Sequence, residues 1–168
     1  MRMNAAVVTV SDKGFAGKRE DISGPLVADG LRAMGASVLE QIIVPDEEDQ
    51  IIKTLTYLAD SGDLDVIITT GGTGLAPRDR TPEATLQVLD RRAPGLAEVL
   101  RSEGYKKTPR AMVSRGVAGL RGKCIIINLP GSTKAVRDGM ETLKDILPHA
   151  IQMAQGEDLE HGEHKHAH

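Results

Sequence analysis

Three short runs constrain the fold most: residues 5–10 (AAVVTV), 65–70 (DVIITT) and 123–129 (KCIIINL). Each is apolar along nearly its whole length instead of on alternate residues. That is how strands buried on both faces of a parallel sheet read. A fourth run, Ser37–Val44, mixes polar residues in and fits a strand nearer the sheet edge. The stretches between them have helical spacing. Residues 23–34 place Leu26, Val27, Leu31 and Met34 on one face, with Pro25 in the first turn and Gly35 just past the end. Residues 46–60 repeat the pattern through Ile51, Ile52, Leu55 and Leu58, and residues 81–89 open on a capping Thr81 followed by Pro82. Residues 93–102 and 132–147 read as two further helices. Strand–helix alternation of this kind predicts a single three-layer α/β domain, a mostly parallel sheet flanked by helices.

The size fits one domain, since 168 residues can bury a sufficient core without staples. A lone Cys124 excludes an internal disulfide and suits a reducing compartment, so a cytoplasmic protein is expected. Cys124 itself falls inside an apolar strand and reads as inert core. No apolar run is long enough to span a membrane, and the four residues ahead of the first strand are too few for a signal peptide. Residues 157–168 (EDLEHGEHKHAH) read as a disordered, acidic, His-rich tail appended to a domain of residues 1–156. Its four carboxylates and one lysine account for the whole net charge of −3, leaving the domain neutral. A neutral domain with 2% aromatic residues lacks both the basic surface and the stacking platforms of nucleic-acid binders. His161, His164, His166 and His168 have the ligand chemistry for a divalent metal, but a solvating tail needs no such role.

In an open α/β sheet, ligands bind beyond the carboxyl ends of the strands. The segments there are distinctive: Ser11-Asp-Lys-Gly after the first run, Pro45-Asp46-Glu-Glu after Ser37–Val44, Gly71-Gly72-Thr73-Gly74 through Arg78-Asp79 after the third, and Pro130-Gly131-Ser132 after the last. The Gly71–Gly74 stretch allows close backbone approach and presents successive N–H groups, as a phosphate requires. It is neither a Walker A loop nor a dinucleotide fingerprint, because the lysine of one and the third glycine of the other are missing. A plain tight turn is the competing reading, which the adjacent Arg78-Asp79 weakens: the pair suits an anion and Mg²⁺ respectively. Asp46 fits either a helix N-cap or a ligand. Thr81 and Glu83 read as cap and first-turn residues, and Ser132 as a cap that also donates to phosphate. Lys13, Lys18, Arg19, Arg110, Arg115 and Lys134 are expected to be mostly solvated, with a few near a polyphosphate.

These loops, together with Thr108-Pro-Arg-Ala-Met-Val-Ser114-Arg115 and Arg121-Gly-Lys-Cys-Ile-Ile-Ile-Asn-Leu-Pro-Gly-Ser132, resemble the molybdopterin adenylyltransferase (MogA/MoaB) family and its eukaryotic relative, the gephyrin G domain. The likeness runs from about residue 4 to residue 154. It implies a homotrimer in molybdenum cofactor biosynthesis, catalysing Mg²⁺-dependent transfer of AMP from ATP to molybdopterin with release of pyrophosphate. A separate molybdate-inserting enzyme would receive the product. By the same resemblance Asp46 and Asp79 are the catalytic residues and hold Mg²⁺. Gly71, Gly72, Thr73, Gly74 and Gly131 would cradle phosphate, with Ser11, Ser114 and Ser132 as further donors to nucleotide or pterin. With so few aromatics, backbone and aliphatic surfaces would have to hold the rings. The competing function is a non-catalytic molybdopterin-binding or scaffolding trimer, which would bind molybdopterin tightly and ATP not at all.

Overall fold

The computed structural model describes residues 1–156, so the His-rich tail lies outside the described residues. Among these, β1 (Asn4–Val10), β2 (Ser37–Val44), β3 (Val66–Thr70), β4 (Arg91–Arg92), β5 (Ala118–Arg121) and β6 (Cys124–Leu129) form one sheet ordered β2-β1-β3-β6-β5-β4. The three apolar runs are its central strands and pair in parallel, Val7 beside Ile68 and Ile68 beside Ile127. The less apolar Ser37–Val44 takes the edge beside β1, also parallel. The α/β fold with a mostly parallel sheet is therefore the one expected.

Alternate side chains of the central strands enter two separate cores. Val7, Val66, Ile68, Ile125, Ile127 and Leu129 meet α2 (Ser23–Ala33), α5 (Pro94–Tyr105), α6 (Thr133–Leu143) and α7 (Leu147–Ala154). Ala6, Val8, Ile67 and Ile126 meet α3 (Glu48–Asp60) and α4 (Thr81–Val88) on the opposite face. Both faces are covered, which is why these strands carry no polar alternation. A short helix, α1 (Asp12–Phe15), follows β1, and a 3₁₀ segment at Pro109–Val113 follows α5. Cys124 is buried as expected, and burial pushes its thiol up to about 12.

Three local departures have physical causes. The expected helix over residues 132–147 ends at Leu143, and α7 starts separately with Pro148 in its first turn. A proline is tolerated there but not in a helix interior. The antiparallel strands β4 and β5 carry only Arg-Arg and Ala-Gly-Leu-Arg, too short and too little β-branched to read as strands. β5 is joined to β6 through a turn in which Gly122 takes φ +58°, a conformation open to glycine. Finally, Thr81 does not cap α4. Arg80 holds that position, and the Thr81 hydroxyl donates back to the Gly71 carbonyl at 3.0 Å.

At the opposite end of the sheet, Asp65 is a buried carboxylate tying β3 to both ends of the described chain. It accepts from Arg2 Nη2 (2.9 Å), the Asn4 amide (2.8 Å) and Gln155 Nε2 (3.0 Å). Burial works to raise its pKa, but these donors and the Arg2 charge together hold it below the ordinary carboxylate value. The unfolded chain therefore binds the Asp65 proton more readily, so this contribution is present above about pH 4 and lost as pH falls further. Urea unfolding at a series of pH values is expected to show a shallower acid loss in Asp65→Asn than in the unsubstituted protein, with Asp65→Asn less stable at pH 7. Parallel profiles below pH 4 would contradict this.

Candidate functional site

The chain reverses direction across the sheet between β1 and β3, so their carboxyl ends face a crevice. The Gly71–Gly74 loop fills that position. Gly71 (φ +99°) and Gly72 (φ +70°) are left-handed, and no side chain fits at either. A Cβ on Gly71 would lie 2.3 Å from the Val10 carbonyl oxygen, and one on Gly72 would lie 2.2 Å from Thr81 Oγ1. The loop thus packs directly on β1 and on the start of α4.

Carbonyls of this loop and its neighbour are anchored from within the domain. Thr81 Oγ1 holds Gly71 O, Thr70 Oγ1 holds Pro130 O (2.8 Å), and Ser23 Oγ holds Gly131 O (2.7 Å). The Arg115 amide holds Thr73 O at 2.8 Å. By contrast, the N–H groups of Gly72, Thr73, Gly74, Gly131 and Ser132 have no protein acceptor among the described residues. All five residues line one cavity of about 580 Å³. Unpaired backbone donors gathered on a cavity wall form an anion-binding concavity. The Ser132 side chain accepts from the Ala135 amide at 3.2 Å and so caps α6, as expected, at the rim of the same cavity.

Two carboxylates lie against the glycine loop, Asp79 beside Gly74 and Asp46 beside Gly72. Asp79 lines the cavity and turns its own loop by accepting the Ala76 amide at 3.0 Å. Gly74 makes this possible, since a Cβ there would lie 2.8 Å from Asp79 Oδ2. Asp46 lies beside Gly72, its Oδ1 3.3 Å from the position a Gly72 Cβ would take, and is not among the cavity-lining residues. It does not cap α3, where Glu47 stands. Instead Asp46 and Asp12 grip one another reciprocally: Asp12 N donates to Asp46 Oδ2 (2.9 Å), and Asp46 N donates to Asp12 Oδ1 (3.0 Å). Burial raises the Asp46 pKa; the hydrogen bond from Asp12 opposes this, while the charges of Asp12 and Asp79 add to it. Oδ1 of each of Asp46 and Asp79 accepts no hydrogen bond among the described residues.

The remaining expected residues divide between the two sides. Ser114 lines the cavity, 3.5 Å from the Thr73 hydroxyl, whereas Ser11 caps α1 beside Asp46 and, like Asp46, is not among the cavity-lining residues. Arg78 is not directed at the loop. Its guanidinium is committed to Asp12 (2.8 and 3.1 Å) and Glu47 (2.9 Å). Of the cavity-lining cations, Arg101 is held by the Ser114 and Gly116 carbonyls, whereas the Arg110 and Lys134 side chains have no hydrogen-bond or ion-pair partner among the described residues. Aliphatic surface comes from Ala97, Leu100, Val113 and Leu129.

Sequence reasoning missed two features of the site. Buried Asn128 on β6 donates to Thr69 Oγ1 (2.9 Å) and Thr85 Oγ1 (3.0 Å) and accepts from the Val117 amide, bracing the floor of the cavity. Arg115, expected as a surface cation, and Glu83, expected as a first-turn acid, form an ion pair in which Arg115 Nη1 donates to both Glu83 oxygens at 2.8 Å. They are 32 residues apart and no local pattern couples them. The threonines at 69, 70, 81 and 85, unusual in so apolar a sheet and its neighbouring helix, were the available signal for a polar floor.

An open, mostly parallel sheet with helices on both faces and an anion-receptive cavity at its carboxyl edge defines an α/β ligand-binding domain. Comparison with known proteins narrows the class. Residues 6–151 match the family model described as "Probable molybdopterin binding domain", and the chain belongs to that family. It is 38% identical over 156 residues to a molybdopterin adenylyltransferase of Helicobacter pylori, covering 92% of this chain and 89% of that protein. It is 43% identical over 155 residues to the molybdenum cofactor synthesis protein cinnamon of Drosophila melanogaster, covering 91% of this chain but only 26% of that longer protein. Among solved structures, the molybdopterin biosynthesis enzyme MoaB of Thermus thermophilus superposes with a TM-score of 0.87 at 49% identity, covering 92% of this chain and 98% of that one.

Proposed function

We propose that the protein is a molybdopterin adenylyltransferase acting in molybdenum cofactor biosynthesis. A terminal phosphate oxygen of molybdopterin attacks the α-phosphorus of ATP, a new P–O–P link forms, the bond to the β-phosphate breaks, and pyrophosphate leaves. The observation that carries this reading is the wall of five acceptor-free N–H groups on the cavity, with Asp79 at its edge and Arg110 and Lys134 lining the same space. Phosphoryl-type transfer needs positioning and charge stabilisation more than a covalent nucleophile, and backbone donors fixed in advance supply both. The relatives named adenylyltransferases support the same reaction class.

In this reading the N–H groups of Gly72, Thr73, Gly74 and Gly131 cradle phosphate oxygens, while Ser114 and Ser132 orient nucleotide or pterin; Gly71, expected in the cradle, instead bonds its amide to Leu129 O and its carbonyl to Thr81 Oγ1 and sets the turn. Ser11, whose hydroxyl accepts the Gly14 amide, lies on the Asp46 side and serves the nucleotide there. The donor chemistry suits Mg²⁺: it is commonly held by one or two carboxylates plus substrate phosphates, and Asp46 and Asp79 each keep an oxygen without a protein donor. Among the described residues no cluster of three or more carboxylate, His or Cys ligands exists to hold a metal by itself. Mg²⁺ held there would neutralise charge on the triphosphate as pyrophosphate departs. The proposal includes homotrimeric assembly and handover of the adenylated product to a molybdate-inserting enzyme, as the family resemblance implies, and a cytoplasmic location, which the lone Cys124 suits.

The experiment is direct: purified protein, ATP, Mg²⁺ and molybdopterin, assayed for pyrophosphate. The expected result is molybdopterin-dependent pyrophosphate release. Calorimetry showing tight molybdopterin binding and no ATP binding would favour the scaffolding alternative.

A further inference from the structure

Arg115 makes more contacts with the catalytic loop than any cap or surface pairing requires. Its Nε donates to Gly74 O at 2.8 Å, its Nη2 to Asp79 O at 2.6 Å, and its Nη1 to both Glu83 oxygens at 2.8 Å. Its backbone amide also donates to Thr73 O. One guanidinium therefore ties the beginning and the end of the Gly74–Asp79 loop together and fastens both to α4 through Glu83. Residues Leu75 to Arg78 between these points are exposed, and Leu75 is 71% exposed. The other polar anchors of this loop among the described residues are the Asp79 amide and carboxylate bonds with Ala76 and the Arg78 ion pairs with Asp12 and Glu47, and none of them joins Gly74 to Asp79.

We propose that Arg115 is the positioning residue that sets the Asp79 carboxylate against the phosphate cradle, with Glu83 fixing the guanidinium in turn. The assignment rests on the adenylyltransferase reading for its kinetic consequence only; its structural consequence is independent. A planar fork reaching two carbonyls and a carboxylate at once is a task only arginine performs, because a lysine ammonium has no such fixed geometry. Arg115 touches no substrate in this account. It acts through Asp79, and a displacement of about 1 Å at a reacting group costs on the order of 100-fold in rate.

The test uses Arg115→Gln, Arg115→Lys, Asp79→Asn and the Arg115→Gln/Asp79→Asn double variant of the full chain. Arg115→Gln is expected to lower kcat roughly 10- to 100-fold, with KM for ATP changing less than about threefold. Arg115→Lys is expected to restore part of that loss. In the Asp79→Asn background Arg115→Gln should have little further effect, because the two act as one unit. Independent, multiplicative losses would overturn the inference. A second readout does not depend on turnover: the Ala76 amide, which Asp79 holds, should shift its NMR resonance and exchange faster in Arg115→Gln while β3 amides stay protected. An unchanged Ala76 amide would overturn the positioning role whatever the wild-type activity. An inactive wild-type protein whose Ala76 amide does respond would instead contradict the adenylyltransferase reading alone.

Discussion

Replacing Asp79 with Ala is expected to lower adenylyl transfer by about 100- to 1,000-fold, the range seen when one preorganised electrostatic group is removed from a transition state. The side chain is well suited to this comparison. It lines the cavity, it is only partly buried, and its sole hydrogen bond among the described residues is the one from Ala76 N. Losing that bond costs on the order of 1 kcal/mol, too little to unfold the domain. Circular dichroism and the thermal midpoint should therefore stay close to those of the unsubstituted protein while pyrophosphate release collapses. Asp79→Asn should behave similarly in turnover, since a neutral amide holds Mg²⁺ far more weakly than the carboxylate that the proposed reading assigns to it. Turnover unchanged in both variants would remove Asp79 from the site.

Gly71→Ala is expected to have the largest effect on stability. The position combines φ +99° with a Cβ that would lie 2.3 Å from the Val10 carbonyl oxygen, a backbone atom inside a paired strand. Left-handed strain costs about 1–2 kcal/mol and forced overpacking about 1–3 kcal/mol more. At roughly 2–4 °C per kcal/mol for a domain of this size, the thermal midpoint should fall by on the order of 10 °C. Gly17→Ala separates the two contributions. Gly17 also has positive φ, +72°, but a Cβ there meets nothing within 4 Å. That variant should lose only about 1 kcal/mol. Equal losses at the two glycines would mean that the close approach of the loop to β1 contributes nothing.

The central strands were legible because burial on both faces removes polar alternation, and that signal is local. The same holds for the glycine loop, for Ser132 as a cap and for the convergence of four loops on one sheet edge. Residues whose role depends on distant partners were not legible. Asp46 precedes a helix and so has the local signature of a cap, yet its partner is Asp12, 34 residues away. Arg78 looked like an anion ligand by adjacency to Asp79, but its side chain turns to Asp12 and Glu47. Arg115 and Glu83 each have an ordinary local reading, and only the fold brings them together. Strands β4 and β5 are not legible because the pairing of β4 with β5 and of β5 with β6 rests on backbone hydrogen bonds that Arg-Arg and Ala-Gly-Leu-Arg do not advertise.

The proposed task of this cavity is to join a nucleotide to molybdopterin. The most direct measurement is pyrophosphate release by the purified protein with ATP, Mg²⁺ and molybdopterin, with the second product identified by mass spectrometry. One pyrophosphate per adenylated molybdopterin is expected, dependent on all three additions and lost in Asp79→Ala. Tight binding of molybdopterin with no pyrophosphate and no adenylated product would contradict it.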